Sequence, residues 1–388
     1  MSSRLFSILL ILVNIMGVVR YIFKYGEPHT SPEYTQVPSW YFLAWNIMTG
    51  LMLLILLYKT PKIFSRAISI YLLVLLFCAN IYLQSNTGFV LGYAKSLIMY
   101  GFVFLLLLSH NEWLKVNHIN KVLDALTITA LAFLCWQIIQ YNAFGYLPSH
   151  SHRGSLIRYG SIWDDSLVFG CLLPMFAGYY YEKFNHSPWS YLTITLLFYF
   201  SAFVTGSFTA IGTCLLYSLL KISRFPRLLM TLVATFGLIA ISHMSDIIRI
   251  IDFKAGSIEG HLAGWSALLN VNASSILGIS PTDTFVESGL LMLLINFGAP
   301  LLLLILIVHF YTLHACRKLI SDNDEIRPFA GATEGLTVSV LFFSINLPVV
   351  IISPVYLFVA IFSSLIISRS VTAHPKLMGN LIRLKYAH

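Results

Sequence analysis

Charge is scarce in this chain. Only 10% of its 388 residues are Asp, Glu, Lys or Arg, and the 16 acids are outnumbered by 24 Lys and Arg. A soluble domain carries about a quarter of its residues charged, so a chain this poor in charge cannot present a water-compatible surface. Cysteine is sparse as well. Cys78, Cys135, Cys171 and Cys214 fall inside apolar stretches, Cys316 sits at the end of one, and no Cys-x-x-Cys spacing occurs. Neither a disulfide nor a zinc framework is expected. The chain shows no G-x-S-x-G, P-loop, H-E-x-x-H or in-context G-x-G-x-x-G, and with them go their usual hydrolase, nucleotide and zinc chemistries. No internal repeat, low-complexity tract or soluble domain is visible.

Apolar residues are what the chain has in quantity: 57% of the total, with a mean hydropathy of +0.79. They gather in twelve unbroken runs near residues 5–19, 39–58, 67–84, 91–109, 122–141, 164–182, 190–205, 207–220, 228–243, 285–313, 332–348 and 354–368. A helix needs roughly 20 apolar residues to cross a ~30 Å hydrocarbon core, whereas barrel strands would show short alternating segments. The pattern predicts an all-α, polytopic integral membrane protein of about 12 transmembrane helices, with residues 1–388 forming a single membrane domain. The first run has the length of a signal peptide, but no A-x-A-like cleavage site follows it, and it is read as retained.

The basic residues set the expected orientation. Arg4, Lys59, Lys62, Arg66, Lys115, Lys121, Lys183, Lys221, Arg224, Arg227, Arg317, Lys318, Arg327, Arg369, Lys376, Arg383 and Lys385 all fall on alternate loops and the two termini. By the positive-inside bias that side is cytoplasmic, and both termini with it. The net charge of +8 follows from this bias and from contact with anionic lipid. It does not point to nucleic acid, which would want a clustered basic face.

Two loops on the other side, 142–163 and 244–284, break the rule by carrying Arg153, Arg158, Arg249 and Lys254. Arginine grips phosphate bidentately and stays charged, so four cations over two external loops could hold one pyrophosphate. Snorkelling to lipid headgroups is the plainer reading of any one of them. Seven residues past Arg158, Asp165 opens the sixth run. A carboxylate entering a membrane helix is costly unless it pairs or faces water, so an Arg158 to Asp165 interaction is expected, with Asp164 as the helix N-cap. In the second loop Ser257, His261 and Trp265 recur at i, i+4 spacing and share a face if the stretch is helical. Trp265 could stack on a sugar or anchor at the interface, and His261 could act as general base, phosphate partner or plain surface histidine. Glu287, just before the tenth run, could accept a proton from an attacking hydroxyl, or be no more than a helix-start charge. His150-x-His152 lacks a third ligand, and no metal or other cofactor is expected. Thr205-Gly206-Ser207 reads as a tight external turn.

These residues together resemble the O-antigen polymerase (Wzy-type) family, relatives of the O-antigen ligases, over roughly residues 150 to 310. The match rests on Arg158 with Asp165-Ser166, the hydroxyl-rich turn Thr205-Gly206-Ser207-Phe208-Thr209, then Arg249, Ser257-x-x-x-His261, Trp265, Gly278 and Glu287-Ser288-Gly289-Leu290. It departs from the family in having His261 for an arginine, Ser166 for a proline and Glu287-Ser288 for His-Asn or Asp-Asn. The resemblance implies a metal-independent glycosyltransferase at the outer face of a bacterial cytoplasmic membrane. It would join repeat units carried on undecaprenyl pyrophosphate into O-antigen, capsule or exopolysaccharide. Arg158, Arg249 and Arg153 or His261 would stabilise the pyrophosphate leaving group. Glu287 or His261 would activate the acceptor hydroxyl, Asp165 would complete the catalytic set, and Ser257 and Trp265 would contact substrate. Membrane lipid is a further partner, and a chain-length regulator docking alongside is left open. Two alternatives stand beside this reading: an O-antigen ligase, and a lipid-linked oligosaccharide flippase or other transporter.

Overall fold

The computed structural model describes residues 2–24, 39–59, 89–109, 111–145, 152–153, 156–163, 165–184, 187–222, 288–322, 324–346 and 354–373. Among them are eleven α-helices: α1 Ser2–Lys24, α2 Ser39–Lys59, α3 Phe89–Ser109, α4 Val116–Phe144, α5 Ser166–Lys183, α6 Pro188–Val204, α7 Phe208–Ile222, α8 Gly289–Phe297, α9 Ala299–Asp322, α10 Arg327–Asn346 and α11 Val355–Ala373. The exception is a two-residue hairpin, β1 His152–Arg153 against antiparallel β2 Leu156–Ile157, with Arg153 opposite Leu156. Apart from this hairpin, the regular structure of the described residues is helical. Four stretches, Ser2–Val19, Val116–Phe144, Ala299–Asp322 and Arg327–Ile345, are long and apolar enough to cross a membrane, which makes this a helical membrane protein. The expected runs at 67–84 and 228–243 lie outside the described residues.

The helices share one polarity landmark. Ser3 Oγ lies 2.7 Å from His118 Nδ1, Lys183 pairs with Asp124 at 2.7 Å, and Lys221 with Glu182 at 2.8 Å. The starts of α1, α4 and α10 and the ends of α5 and α7 therefore meet at one end, the base of the bundle.

At its centre α5 crosses α10, the most extensive helix pair among the described elements. Their backbones touch because the facing residues have no side chain. A Cβ on Gly178 would overlap the Gly331 carbonyl oxygen, and one on Gly335 would overlap that of Pro174. Gly331 and Gly335 stand four apart on α10, the small-xxx-small spacing that lets membrane helices approach closely. Pro174, inside α5, has no N–H to donate to the Gly170 carbonyl; one residue further along, Ser339 Oγ of α10 donates to the Cys171 carbonyl at 2.7 Å, an interhelical bond to the backbone beside the proline.

A buried ionic cluster closes the basal end of this pair. Lys221 Nζ lies between Glu182 and Glu334, Arg327 Nε donates to Glu182 Oε2 at 2.8 Å, and Arg317 Nε reaches Glu334 Oε1 at 3.5 Å. Tyr217 OH donates to the Gly331 carbonyl at 3.1 Å and to Glu334 at 3.3 Å. Two of the basic residues that the charge pattern assigns to loops, Lys221 and Arg327, thus tie α7 and α10 to α5, and Arg317 of α9 reaches the cluster from the surface.

The run expected over 285–313 is two helices. Gly298 ends α8 at φ 85°, a backbone setting that favours glycine, and α9 restarts at Ala299 with Pro300 in its first turn.

Removing one member of the cluster leaves opposite charge buried without compensation, at a cost of about 3–5 kcal/mol. Glu182→Leu is therefore expected to lower the thermal transition in detergent sharply. Glu182→Leu combined with Arg327→Met, which leaves the Lys221–Glu334 pair in place, should recover part of that loss, and a double variant no more stable than the single would show that Glu182 and Arg327 are not coupled.

Candidate functional site

The hairpin leads into a segment that is not helical and not on the surface. Arg158 is 8% exposed, and Ser161, Ile162 and Trp163 form a buried 3-10 turn. Ser161 adopts φ +52°, strained for a residue with a Cβ, and its surroundings over-determine it. Its N–H donates to Gln137 Oε1 at 3.0 Å and its Oγ to the Ala130 carbonyl at 2.6 Å. Trp163 Nε1 donates to Asn14 Oδ1 at 2.9 Å, and its indole stacks on Phe169 and Phe176 at 5.9 and 6.0 Å. The contact with α1 is close because Gly17 faces it, where a Cβ would overlap the Ile162 carbonyl.

Depth follows from helix geometry. Ala130 is the midpoint of α4, 14 residues from Val116 and 14 from Phe144, so about 21 Å from either end at ~1.5 Å per residue. Asn14 lies 12 residues along α1, about 18 Å from the base. The turn at 161–163 thus sits near the middle of the longest helix, at a level where irregular backbone is tolerated only inside protein or against a cavity.

A second turn meets it there. Helices α6 and α7, of 17 and 15 residues, span only about 25 and 22 Å, so their connection Thr205–Ser207 stops well below the far end of α4. Arg158 Nε donates to the Thr205 carbonyl at 3.2 Å and Tyr159 N–H to the Val204 carbonyl at 3.2 Å. Within the turn Thr205 Oγ1 accepts from Ser207 N–H at 3.3 Å and Ser207 Oγ from Ala210 N–H at 3.4 Å, with Gly206 at φ 61°. The two sequence features singled out in this half of the chain, Arg158 and the hydroxyl-rich turn, are therefore one site. Chemically, it fixes the plane of a permanent cation where water is scarce and anions are held strongly.

Asp165 differs from expectation. It, rather than Asp164, caps α5: Oδ1 accepts from Leu167 N–H at 2.8 Å and Val168 N–H at 3.3 Å. Among the described contacts Asp165 spends Oδ1 on its own helix start, and Arg158 Nε is on the Thr205 carbonyl. Ser288 caps α8, its Oγ accepting from Leu291 N–H at 3.5 Å, and is 1% exposed. Glu287, Arg249, Ser257, His261, Trp265 and Lys254 lie outside the described residues. Arg153 is on β1. Among the described residues no group of three or more His, Cys, Asp or Glu could hold a metal ion.

Sequence reading missed the descent of 158–163 into the bundle, although Gln137 and Asn14, amides at mid-run, were a signal that something polar must meet them. No protein-family model matches the chain, and no curated protein does.

Gln137→Leu orphans the buried Ser161 N–H and is expected to cost about 1–3 kcal/mol, read as a lower thermal transition. Gly17→Val should do at least as much by driving α1 off the turn. A Gly17→Val protein as stable as the parent would mean that α1 does not pack there.

Proposed function

We propose that the protein is a polysaccharide repeat-unit polymerase that joins undecaprenyl-pyrophosphate-linked oligosaccharides at the outer face of a bacterial cytoplasmic membrane. In this reading the chain crosses the membrane twelve times, both termini are cytoplasmic and the base of the bundle faces the cytoplasm. The observation that carries it is Arg158, buried, held at Nε by the Thr205 carbonyl and set below the far end of α4. A cation so placed meets a phosphate that arrives in the plane of the membrane, attached to a lipid, rather than one free in solution. The leaving pyrophosphate would develop its charge against a preorganised guanidinium, with no divalent ion required for that stabilisation. Arg249, Arg153 and His261 are the further anion partners of the proposal, Glu287 or His261 activates the acceptor hydroxyl, Asp165 completes the catalytic set, and Ser257 and Trp265 contact the sugar.

A carrier is the second reading, favoured by the helix break at Gly298, since discontinuous helices build transporter sites. Against it, the buried charges of Glu182, Lys221, Arg327 and Glu334 satisfy one another at the base.

Deletion of the gene in its host, followed by gel analysis of surface polysaccharide, separates these. Single repeat units in place of a ladder support the polymerase, polymer held on its lipid carrier means a ligase, and repeat units trapped on the inner leaflet mean a flippase. On complementation at equal expression, Arg158→Ala is expected to abolish the ladder. Arg158→Lys, which keeps charge but loses the planar fork, should reduce it by at least about tenfold. A normal ladder from both would overturn the assignment of Arg158.

A further inference from the structure

At the base, the start of α1 lies beside the end of α2, and the two helices leave a groove of about 480 Å³ between them. Its walls are apolar: Leu9 of α1, with Leu51 and Leu54 of α2. Its mouth holds Ser2, Tyr58 and Lys59. Leu51 and Leu54 are 44% and 61% exposed, so this is an open slot rather than a closed void. Eight residues of α2 separate Leu51 from Lys59, about 12 Å along the axis, against roughly 15 Å for the hydrocarbon of one leaflet. The slot therefore has the length of an acyl chain lying in the basal leaflet.

The mouth is positive. Lys59 Nζ sits 5.3 Å from the centre of the Tyr58 ring and pairs with no carboxylate among the described residues. The first turn of α1 contains no acid, which leaves the positive end of a 23-residue helix unopposed by its own sequence. On the other flank of that turn, His118 meets Ser3 within the field of Arg4, Lys115 and Lys121, and Lys115 N–H donates to Ser3 Oγ at 3.3 Å. A slot for hydrocarbon that ends in unopposed positive charge is complementary to one kind of molecule.

We propose that this groove seats one anionic phospholipid, its acyl chain between α1 and α2 and its phosphodiester against Lys59 and the first turn of α1. This site is separate from Arg158 and does not rest on the polymerase reading. The test is native mass spectrometry of the full chain in mild detergent, titrated with phosphatidylglycerol and with phosphatidylcholine. The parent should take up one phosphatidylglycerol with about fivefold preference over phosphatidylcholine, as one lysine near a headgroup provides. Leu54→Trp, which fills the groove, should remove the adduct of both lipids. Lys59→Gln should keep an adduct and lose the preference. Equal occupancy by the two lipids in the parent, or an unchanged adduct in Leu54→Trp, would reduce the groove to ordinary contact with fluid lipid. Should Leu54→Trp not yield monodisperse protein, Lys59→Gln decides alone, and a preference that survives it overturns the proposal.

Discussion

Contact between two bare backbones, Gly178 of α5 against Gly331 of α10 with Gly335 against Pro174, is the constraint on which the other packing depends. In lipid the hydrophobic effect does not drive helix against helix; dispersion between close backbones and interhelical hydrogen bonds must do so. Once α5 and α10 lie this near, the carboxylates of Glu182 and Glu334 come within reach of one ammonium group, and Lys221 bridges them. The ionic cluster is then a consequence of the glycine contact as well as its clamp. Its charges are costly to desolvate singly and tolerable only as a set.

The same pair fixes the opposite end. With α5 anchored, its start at the Asp165 cap lies about 27 Å above its own base, and the chain that enters it must descend beside α4 and α1 to get there. Ser161, Trp163, Gln137 and Asn14 are the means of that descent: each polar group brought below the surface finds a partner on a neighbouring helix. Arg158 is carried down with them and meets the α6–α7 turn because those two helices are short.

Helix positions were largely legible in the sequence, since an unbroken apolar run has few other options in a bilayer. What stayed hidden has physical reasons. Gly298 looked like one glycine inside a long run, and only its positive φ divides the run into two helices. Glu182 and Glu334 sit close to expected loops, so their burial could not be seen without knowing that α5, α7 and α10 converge. The choice between Asp164 and Asp165 as cap turned on one residue of register, below what periodicity resolves. The Gly331-x-x-x-Gly335 spacing is visible in the sequence, but that Gly178 of α5 faces it needed the fold. The association of Arg158 with Thr205, 47 residues apart, needed the fold.

The inequality of helix lengths reaches beyond the protein. The apolar run of α4, 122–141, has 20 residues whereas those of α6 and α7, 190–205 and 207–220, have 16 and 14, so one flank asks for a thicker hydrocarbon layer than the other. A bilayer meets such a demand by deforming, at a cost of fractions of a kcal/mol per ångström of mismatch. A bilayer around the protein would be thinnest beside α6 and α7, on the side of the Thr205 turn. On the polymerase reading, the membrane itself would be part of the approach to Arg158, since a lipid-linked substrate in that leaflet would have less of its length to lift out of the hydrocarbon.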